Sequence, residues 1–368
     1  MIFSEHEWLR YSRHIQLPQV GAEGQTKLKS ARVLLIGLGG LGSPVSLYLA
    51  AAGVGSLTLI DGDIVDATNL QRQILFGESD VGTLKTDAAK LRLSDLNADI
   101  RINIYPQVFT LELANKLKPD FDLVIDCTDN FAARYLINDY CLSHQLSWLY
   151  AGIHQFSGQC ALFTPKQACF RCFIPSAPEQ IEDCNSAGVL GVLPGLLGIL
   201  QANEALKFLV GLATPLANTL LIFDAQTLEQ QKIKLTINPE CLCQTDSEHA
   251  LKQHNDTPFS CSSEVIHPAE INSDTFNKNR ELGKFVTLDV REDNERCAFH
   301  IGGTHTPLAE ILLADLGQEN TYLCYCQSGI RSLKAAELLQ DKGLKAYSLK
   351  GGLASWLKSS LNNKRHTD

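Results

Sequence analysis

The sequence predicts an α/β protein: a doubly wound, mostly parallel sheet followed by a second, smaller α/β domain. Three observations predict it. An apolar run, Ala31 to Ile36, leads straight into the glycine-rich turn Gly37-Leu38-Gly39-Gly40-Leu41-Gly42. Strand-like and helix-like segments then alternate along the first two thirds of the chain. A polar stretch, Gln244 to Glu264, separates this series from a shorter one of the same kind.

Taken in order, Ala31 to Ile36 reads as a buried strand, Ser43 to Ala52 as a helix, and Ser56-Leu57-Thr58-Leu59-Ile60 as a second strand ending at Asp61. The opening is therefore a β-α-β unit. Strands at Ile100 to Tyr105, Leu123 to Asp126 and Trp148 to Ala151, with a helix at Ala133 to Ser143, continue the pattern. Such alternation calls for a parallel sheet covered on both faces. The stretch from Gln244 to Glu264 is rich in Ser, Asp, Glu, His, Asn and Pro, as an exposed linker is. This places a first domain at 1–245, a linker at 246–262 and a second domain at 263–368. Phe285 to Val290, Tyr322 to Tyr325 and Ala346 to Leu349 are short strands of that second domain, and Ser332 to Lys342 is a helix.

Composition limits the function classes. At 368 residues, roughly two domains are expected. Hydrophobic residues at 45% and charged residues at 20% provide for two ordinary cores. A net charge of -9 argues against a nucleic-acid partner. The most apolar stretch, Val189 to Leu212, is interrupted by Pro194, Gln201, Asn203, Glu204 and Lys207, so no membrane span is expected. The N-terminus lacks a basic start and an apolar run, and a cytoplasmic location is expected. In such a chain the twelve cysteines point to metal ligation, reactive thiols and core packing rather than disulfides.

A glycine-rich turn between strand and helix lets backbone N–H groups approach phosphate at the positive end of a helix dipole. Asp61, about 20 residues on, is placed to take ribose hydroxyls. Both features suit NAD as well as ATP. The polar set Asn69, Arg72, Gln73, Lys85 and Asp129 favours ATP. Cations can neutralise a triphosphate and a carboxylate can hold magnesium, whereas hydride transfer needs no such cluster. An NAD-dependent oxidoreductase stays as a remote alternative.

Among the cysteines, Cys169-Phe170-Arg171-Cys172 has the spacing of a zinc knuckle, and Cys241 and Cys243 follow later in the chain. Four thiolates would make a closed, structural zinc site. Cys127, Cys141 and Cys160 read as core thiols. Cys326 opens the loop Cys326-Gln327-Ser328-Gly329-Ile330-Arg331, which leads into a helix. Backbone N–H groups in such a cradle stabilise a thiolate or persulfide anion.

Four segments carry a resemblance over roughly residues 5 to 243: Tyr11-Ser12-Arg13-His14-Ile15-Gln16-Leu17-Pro18, the turn from Gly37 to Pro44, Asn69-Leu70-Gln71-Arg72-Gln73 and Asp126-Cys127-Thr128-Asp129-Asn130. They resemble the MoeB/ThiF (HesA) family, bacterial relatives of ubiquitin-activating enzymes that adenylate the C-terminal glycine of a small ubiquitin-like sulfur carrier. The resemblance implies ATP bound by Gly37, Gly39, Gly40, Gly42 and Asp61, phosphates held by Asn69, Arg72 and Lys85, and magnesium held by Asp129. It implies a homodimer in which Arg13 reaches the neighbouring subunit's nucleotide. It also implies that Cys184, in Asp183-Cys184-Asn185-Ser186-Ala187-Gly188, is the crossover-loop cysteine that attacks the activated carrier. One departure stands out. The family's second zinc pair is separated by two residues, but Cys241-Leu242-Cys243 by only one, which makes Cys243 the least secure ligand.

The loop from Cys326 to Arg331 resembles that of rhodanese sulfurtransferases. Leu288-Asp289-Val290-Arg291-Glu292, His300-Ile301-Gly302-Gly303, Thr306-Pro307-Leu308 and Leu349-Lys350-Gly351-Gly352 with Trp356 follow in rhodanese order, over about residues 263 to 360. Related cysteine phosphatases have a loop one residue longer, and a docking-only module would lack the cysteine. Asp289 and Arg291 are expected to hold the domain together. The resemblances together imply an ATP-dependent adenylyltransferase joined to a sulfurtransferase. Its partners would be a Gly-Gly-tailed carrier, of the molybdopterin-synthase (MoaD) type or the thiazole-synthesis (ThiS) type, and a sulfur donor such as a cysteine desulfurase.

Overall fold

In the computed structural model, residues 2–176, 188–252, 254 and 269–365 are described. The chain divides into two compact units, Met1–Phe259 and Ser260–Asp368.

The first unit is built on eight strands: β1 (Arg32–Ile36), β2 (Ser56–Ile60), β3 (Arg101–Tyr105), β4 (Leu123–Asp126), β5 (Trp148–His154), β6 (Ser157–Phe163), β7 (Thr219–Asp224) and β8 (Gln230–Lys234). They form one sheet in the order β3-β2-β1-β4-β5-β6-β7-β8. The five strands β1 to β5 are parallel. The run Val33-Leu34-Leu35-Ile36 is apolar throughout because both faces of β1 are covered. Val33 and Leu35 join a core with Val45 and Leu49 of the helix Gly42–Ala51. Leu34 and Ile36 join the opposite core with Leu136, Ile137 and Tyr140 of the helix Phe131–Ser143.

The expected parallel half is present, and the structure adds an antiparallel half. β5 runs on past Ala151 to His154, and a tight turn at Gln155-Phe156 reverses the chain into β6. Gln155 takes the left-handed backbone at φ 51° without the glycine or asparagine that marks such turns in a sequence. β7 and β8 extend the sheet in the same antiparallel sense. The helix Val192–Val210 is the apolar stretch noted above. It packs on Gly42–Ala51, where Gly198 faces the Leu41 carbonyl so closely that a Cβ would lie 2.6 Å from it. Among the described residues no helix is long and apolar enough to cross a membrane.

The first unit also continues beyond residue 245. Ala250 and Leu251 are buried, the Leu251 N–H donates to Ser143 Oγ at 2.8 Å, and His254 Nδ1 lies 2.7 Å from Asp139 Oδ2. Two apolar residues among polar ones are enough to dock this segment on the helix Phe131–Ser143.

The second unit has five parallel strands, β9 (Glu270–Ile271), β10 (Val286–Asp289), β11 (Thr304–His305), β12 (Thr321–Tyr325) and β13 (Lys345–Leu349), in the order β11-β10-β12-β13-β9. The three central strands are those expected. The two edges are two-residue strands, too short to leave a period in the sequence. Helices Ile330–Asp341 and Gly352–Arg365 cover this sheet, and Leu353 and Phe276 are fully buried beside Tyr325.

Candidate functional site

In the strand order of the first sheet the direction of winding reverses between β1 and β4, and open α/β sheets bind ligands at such a point. A cavity of about 350 Å³ lies there. Gly37, Gly39, Gly40, Asp61, Asn69, Arg72, Lys85 and Asp129 all line it. Gly42 opens the helix beneath, Arg13 stands exposed on the short helix Ser12–Ile15 away from the cavity, and Cys184 is outside the described residues.

Glycine is needed at the turn for steric reasons. A Cβ on Gly37, whose φ is 94°, would lie 2.6 Å from the Cys127 carbonyl oxygen, and one on Gly42 would lie 2.1 Å from Gly37 O. The turn is held to the second strand by Asp61, whose carboxylate accepts from the Leu38 N–H at 2.7 Å and the Asp63 N–H at 2.8 Å. Burial raises the Asp61 pKa, against the pull of Lys85 and those two N–H groups. Lys85 is itself buried, and its ammonium sits 2.8 Å from Asp63 Oδ2. Arg72 donates to Thr68 O at 3.2 Å, while Asp129 is exposed at the cavity rim. Arg72, Lys85, an accessible carboxylate and a backbone turn are thus gathered around one space.

Sequence reasoning passed over Arg134. It lines the cavity, is 7% exposed, and lies against the rings of Phe131 and Tyr150. Its Nε is 3.6 Å from Asp126 Oδ2, and neither atom has a hydrogen-bond partner. The available signal was an arginine in the first turn of a helix whose first two turns are otherwise apolar or aromatic. Thr128 donates to Asp126 Oδ1 through its N–H and its hydroxyl, at 2.9 and 2.7 Å. Burial outweighs these contacts and raises the Asp126 pKa from 3.8 to about 6. The native state therefore holds a proton that the unfolded chain has released, and stability falls as pH rises from about 4 to about 6. Asp126→Asn is expected to flatten that part of the profile. The difference between the two proteins should change by up to about 3 kcal/mol between pH 4 and 7, read from urea unfolding; parallel profiles would refute the account.

A second cluster lies on the same unit. The sulfurs of Cys169, Cys172, Cys241 and Cys243 are all within 4.8 Å of one another. Cys169 to Cys172 is 4.0 Å, Cys169 to Cys241 3.5 Å and Cys172 to Cys243 3.4 Å. A tetrahedral zinc with bonds of ~2.3 Å has sulfur–sulfur edges of about 3.8 Å, so the donor set fits that ion. Cys243 is fully part of the cluster: the chain turns into the short helix Leu242–Thr245 directly after Cys241, so the single intervening residue suffices. The Asn238 N–H donates to Cys172 Sγ at 3.4 Å and Gln244 Nε2 to Cys243 Sγ at 3.6 Å, the kind of contact that orients thiolate ligands. Cys127, Cys141 and Cys160 are buried in the cores as expected, and burial holds all three thiols neutral.

In the second unit Cys326 directly follows β12 and is fully buried at the base of its loop. Its sulfur accepts from the Gly329 N–H at 3.1 Å and the Ser332 N–H at 3.4 Å. Gly329, at φ 96°, caps the helix Ile330–Asp341 and leaves no space for a side chain against Gly351. Arg331 forms a bidentate pair with Glu295, both contacts at 2.7 Å. Asp289 and Arg291 are a buried bidentate pair that also takes the Tyr325 hydroxyl, consistent with a structural role.

The profile of the ThiF family matches residues 11–245 and that of the rhodanese-like domain residues 272–359. The chain belongs to the ThiF family. This ThiF-family chain is 34% identical to the probable molybdopterin-synthase adenylyltransferase of Porphyra purpurea, covering 96% of this chain and 94% of that one. It is 33% identical to the probable adenylyltransferase/sulfurtransferase MoeZ of Mycobacterium tuberculosis, with the same coverage. Among solved structures it is similar to E. coli MccB with ATP, at a TM-score of 0.57 and 26% identity over 64% of this chain and 73% of that one. By enzyme type the ThiF-family chain is an adenylyltransferase followed by a rhodanese-type sulfurtransferase, and ATP use follows from that membership.

Proposed function

We propose that the first unit uses Mg-ATP to adenylate the C-terminal glycine of a ubiquitin-like sulfur carrier and that Cys326 delivers the sulfur. The observation that carries this reading is the single cavity joining the glycine turn to Arg72, Lys85 and Asp129. The glycine turn and Asp61 take the nucleotide, Asn69, Arg72 and Lys85 take phosphate oxygens, and Asp129 would ligate magnesium, which neutralises charge on the leaving pyrophosphate. Arg13 belongs to the neighbouring subunit's site in a homodimer, which accounts for its distance from the cavity of its own chain. The four-cysteine cluster holds a structural zinc. A linker between the units lets the persulfide reach the adenylate.

The carrier carboxylate displaces pyrophosphate and becomes a mixed anhydride with AMP. The outer sulfur of a Cys326 persulfide then attacks the carbonyl and AMP leaves, giving an acyl disulfide. A second thiol, Cys184 or an external one, attacks the Cys326 sulfur and releases the thiocarboxylate, and a dithiol reductant restores Cys326. A cysteine desulfurase is the proposed source of the persulfide. The molybdopterin-synthase type of carrier is favoured, because the Porphyra relative that bears that name matches nearly the whole chain. The thiazole-synthesis carrier is the second reading. An NAD-dependent oxidoreductase would leave Arg72, Lys85 and Cys326 without work.

The test is ATP–pyrophosphate exchange with each purified carrier. Exchange with one carrier is expected, falling at least a hundredfold in Asp129→Ala. No exchange with any carrier, from a folded protein, would sink the proposal.

A further inference from the structure

Behind the Cys326 sulfur the core of the second unit holds two serine hydroxyls. Ser332 and Ser348 are both fully buried. Their oxygens are 2.8 Å apart, and Ser332 Oγ is 3.5 Å from Cys326 Sγ. The Gly329 carbonyl is 3.0 Å from Ser332 Oγ and 3.5 Å from Ser348 Oγ. Ser332 comes from the helix Ile330–Asp341 and Ser348 from β13, so two elements converge on one sulfur. Filling the space would need only alanine, and a buried hydroxyl is costly unless it is bonded.

Each hydroxyl brings one proton and two lone pairs. When Cys326 is a thiol, its S–H donates to Ser332 Oγ and Ser332 donates to Gly329 O. When Cys326 is a thiolate, that donor is gone, and the Ser332 proton is free to turn to the sulfur. Ser348 then donates to Ser332 Oγ, completing the chain. The pair offers an acceptor to the thiol and a donor to the anion.

We propose that Ser348 and Ser332 form a buried hydroxyl relay that stabilises the Cys326 thiolate for sulfur loading. Ser332 touches the reacting sulfur; Ser348 acts through it as a positioning residue. The inference rests on Cys326 being the sulfur-carrying residue. With thiosulfate as donor, the thiolate attacks the outer sulfur, a Cys326–sulfur bond forms, the sulfur–sulfur bond of thiosulfate breaks, and sulfite leaves with the electron pair. A larger thiolate fraction at neutral pH speeds that step.

The test is the pH profile of iodoacetamide alkylation at Cys326 in the full chain, followed on the Cys326 peptide by mass spectrometry. Ser332→Ala and Ser348→Ala are each expected to move the midpoint up by about one pH unit, roughly a tenfold slower alkylation at neutral pH, with the rate at high pH unchanged. Ser348→Thr, which keeps the hydroxyl, should keep the wild-type midpoint. The other groups around the loop are untouched in these variants: Arg331 with Glu295, the buried Cys324, the Asp289–Arg291–Tyr325 cluster on the neighbouring strands, and Lys350 beyond β13. A wild-type midpoint in both folded alanine variants overturns the relay. If an alanine variant does not fold, Ser348→Cys, close to serine in size and a much weaker hydrogen-bond donor, decides: a wild-type Cys326 midpoint in that folded variant overturns the relay as well. Alkylation does not require sulfur transfer. A wild type that is inert with thiosulfate but shows the shifted profiles would sink the persulfide reading and leave the relay standing.

Discussion

A Cys326→Ala chain is expected to lose sulfur transfer from thiosulfate to cyanide by about a thousandfold or more while exchanging pyrophosphate into ATP at the wild-type rate. The first half follows from geometry. The Cys326 sulfur is where the Gly329 and Ser332 N–H groups converge, so the loop has no substitute nucleophile. The neighbouring Cys324 is buried in the core with its pKa pushed up to about 12 by burial, and it cannot stand in at neutral pH. The second half follows from the division of the chain, since the nucleotide cavity is lined wholly by residues of the first unit. The two assays on one preparation separate the two chemistries. Transfer surviving in the variant would mean that another thiol carries the sulfur, and exchange lost with it would mean that the two units do not act independently.

A Cys169→Ala chain is expected to lose its zinc, falling from one ion per chain to near none by atomic emission. Its thermal transition should drop by roughly 10 °C, a loss of several kcal/mol at 2–4 °C per kcal/mol for a unit of this size. The cluster joins the segment around Cys172 to that around Cys243, which lie about 70 residues apart, so its loss frees both. The adjacent packing would feel it directly. Phe170, between the first two cysteines of the cluster, is fully buried against Trp148 and Tyr150, and its N–H donates to Asn138 Oδ1 at 3.0 Å. Cys297→Ser, at an exposed thiol of the second unit, is the control and should retain both zinc and stability. A metal-free wild type with the same transition as the variant would refute a structural zinc.

The glycine turn and the Cys326 loop were legible in the sequence because each is a local device. A strand, a few residues of backbone with their N–H groups turned inward, and the start of a helix lie within about fifteen consecutive positions, and glycine marks where a side chain cannot fit. Asp61, Lys85 and Asp129 could be placed because alternating strands and helices bring successive strand ends to one edge of the sheet. The antiparallel strands β6 to β8 were harder to read, since the turn at Gln155 uses a residue type that does not advertise a reversal.

What the sequence determined by itself is therefore the parallel half of the first sheet, the three central strands of the second, the two resemblances and the residues proposed to carry the chemistry. Tertiary structure decided what depends on distance in space. It brought Cys243 within 3.4 Å of Cys172, set Arg134 beside the carboxylate of Asp126, and placed Ser348 behind Ser332 and Cys326. No spacing rule predicts which of these side chains meet, whether they are a few positions apart or about 70. These groups meet because apolar packing of the helices on the two sheets fixes where their backbones lie, and the polar side chains then find partners in the positions that packing leaves them.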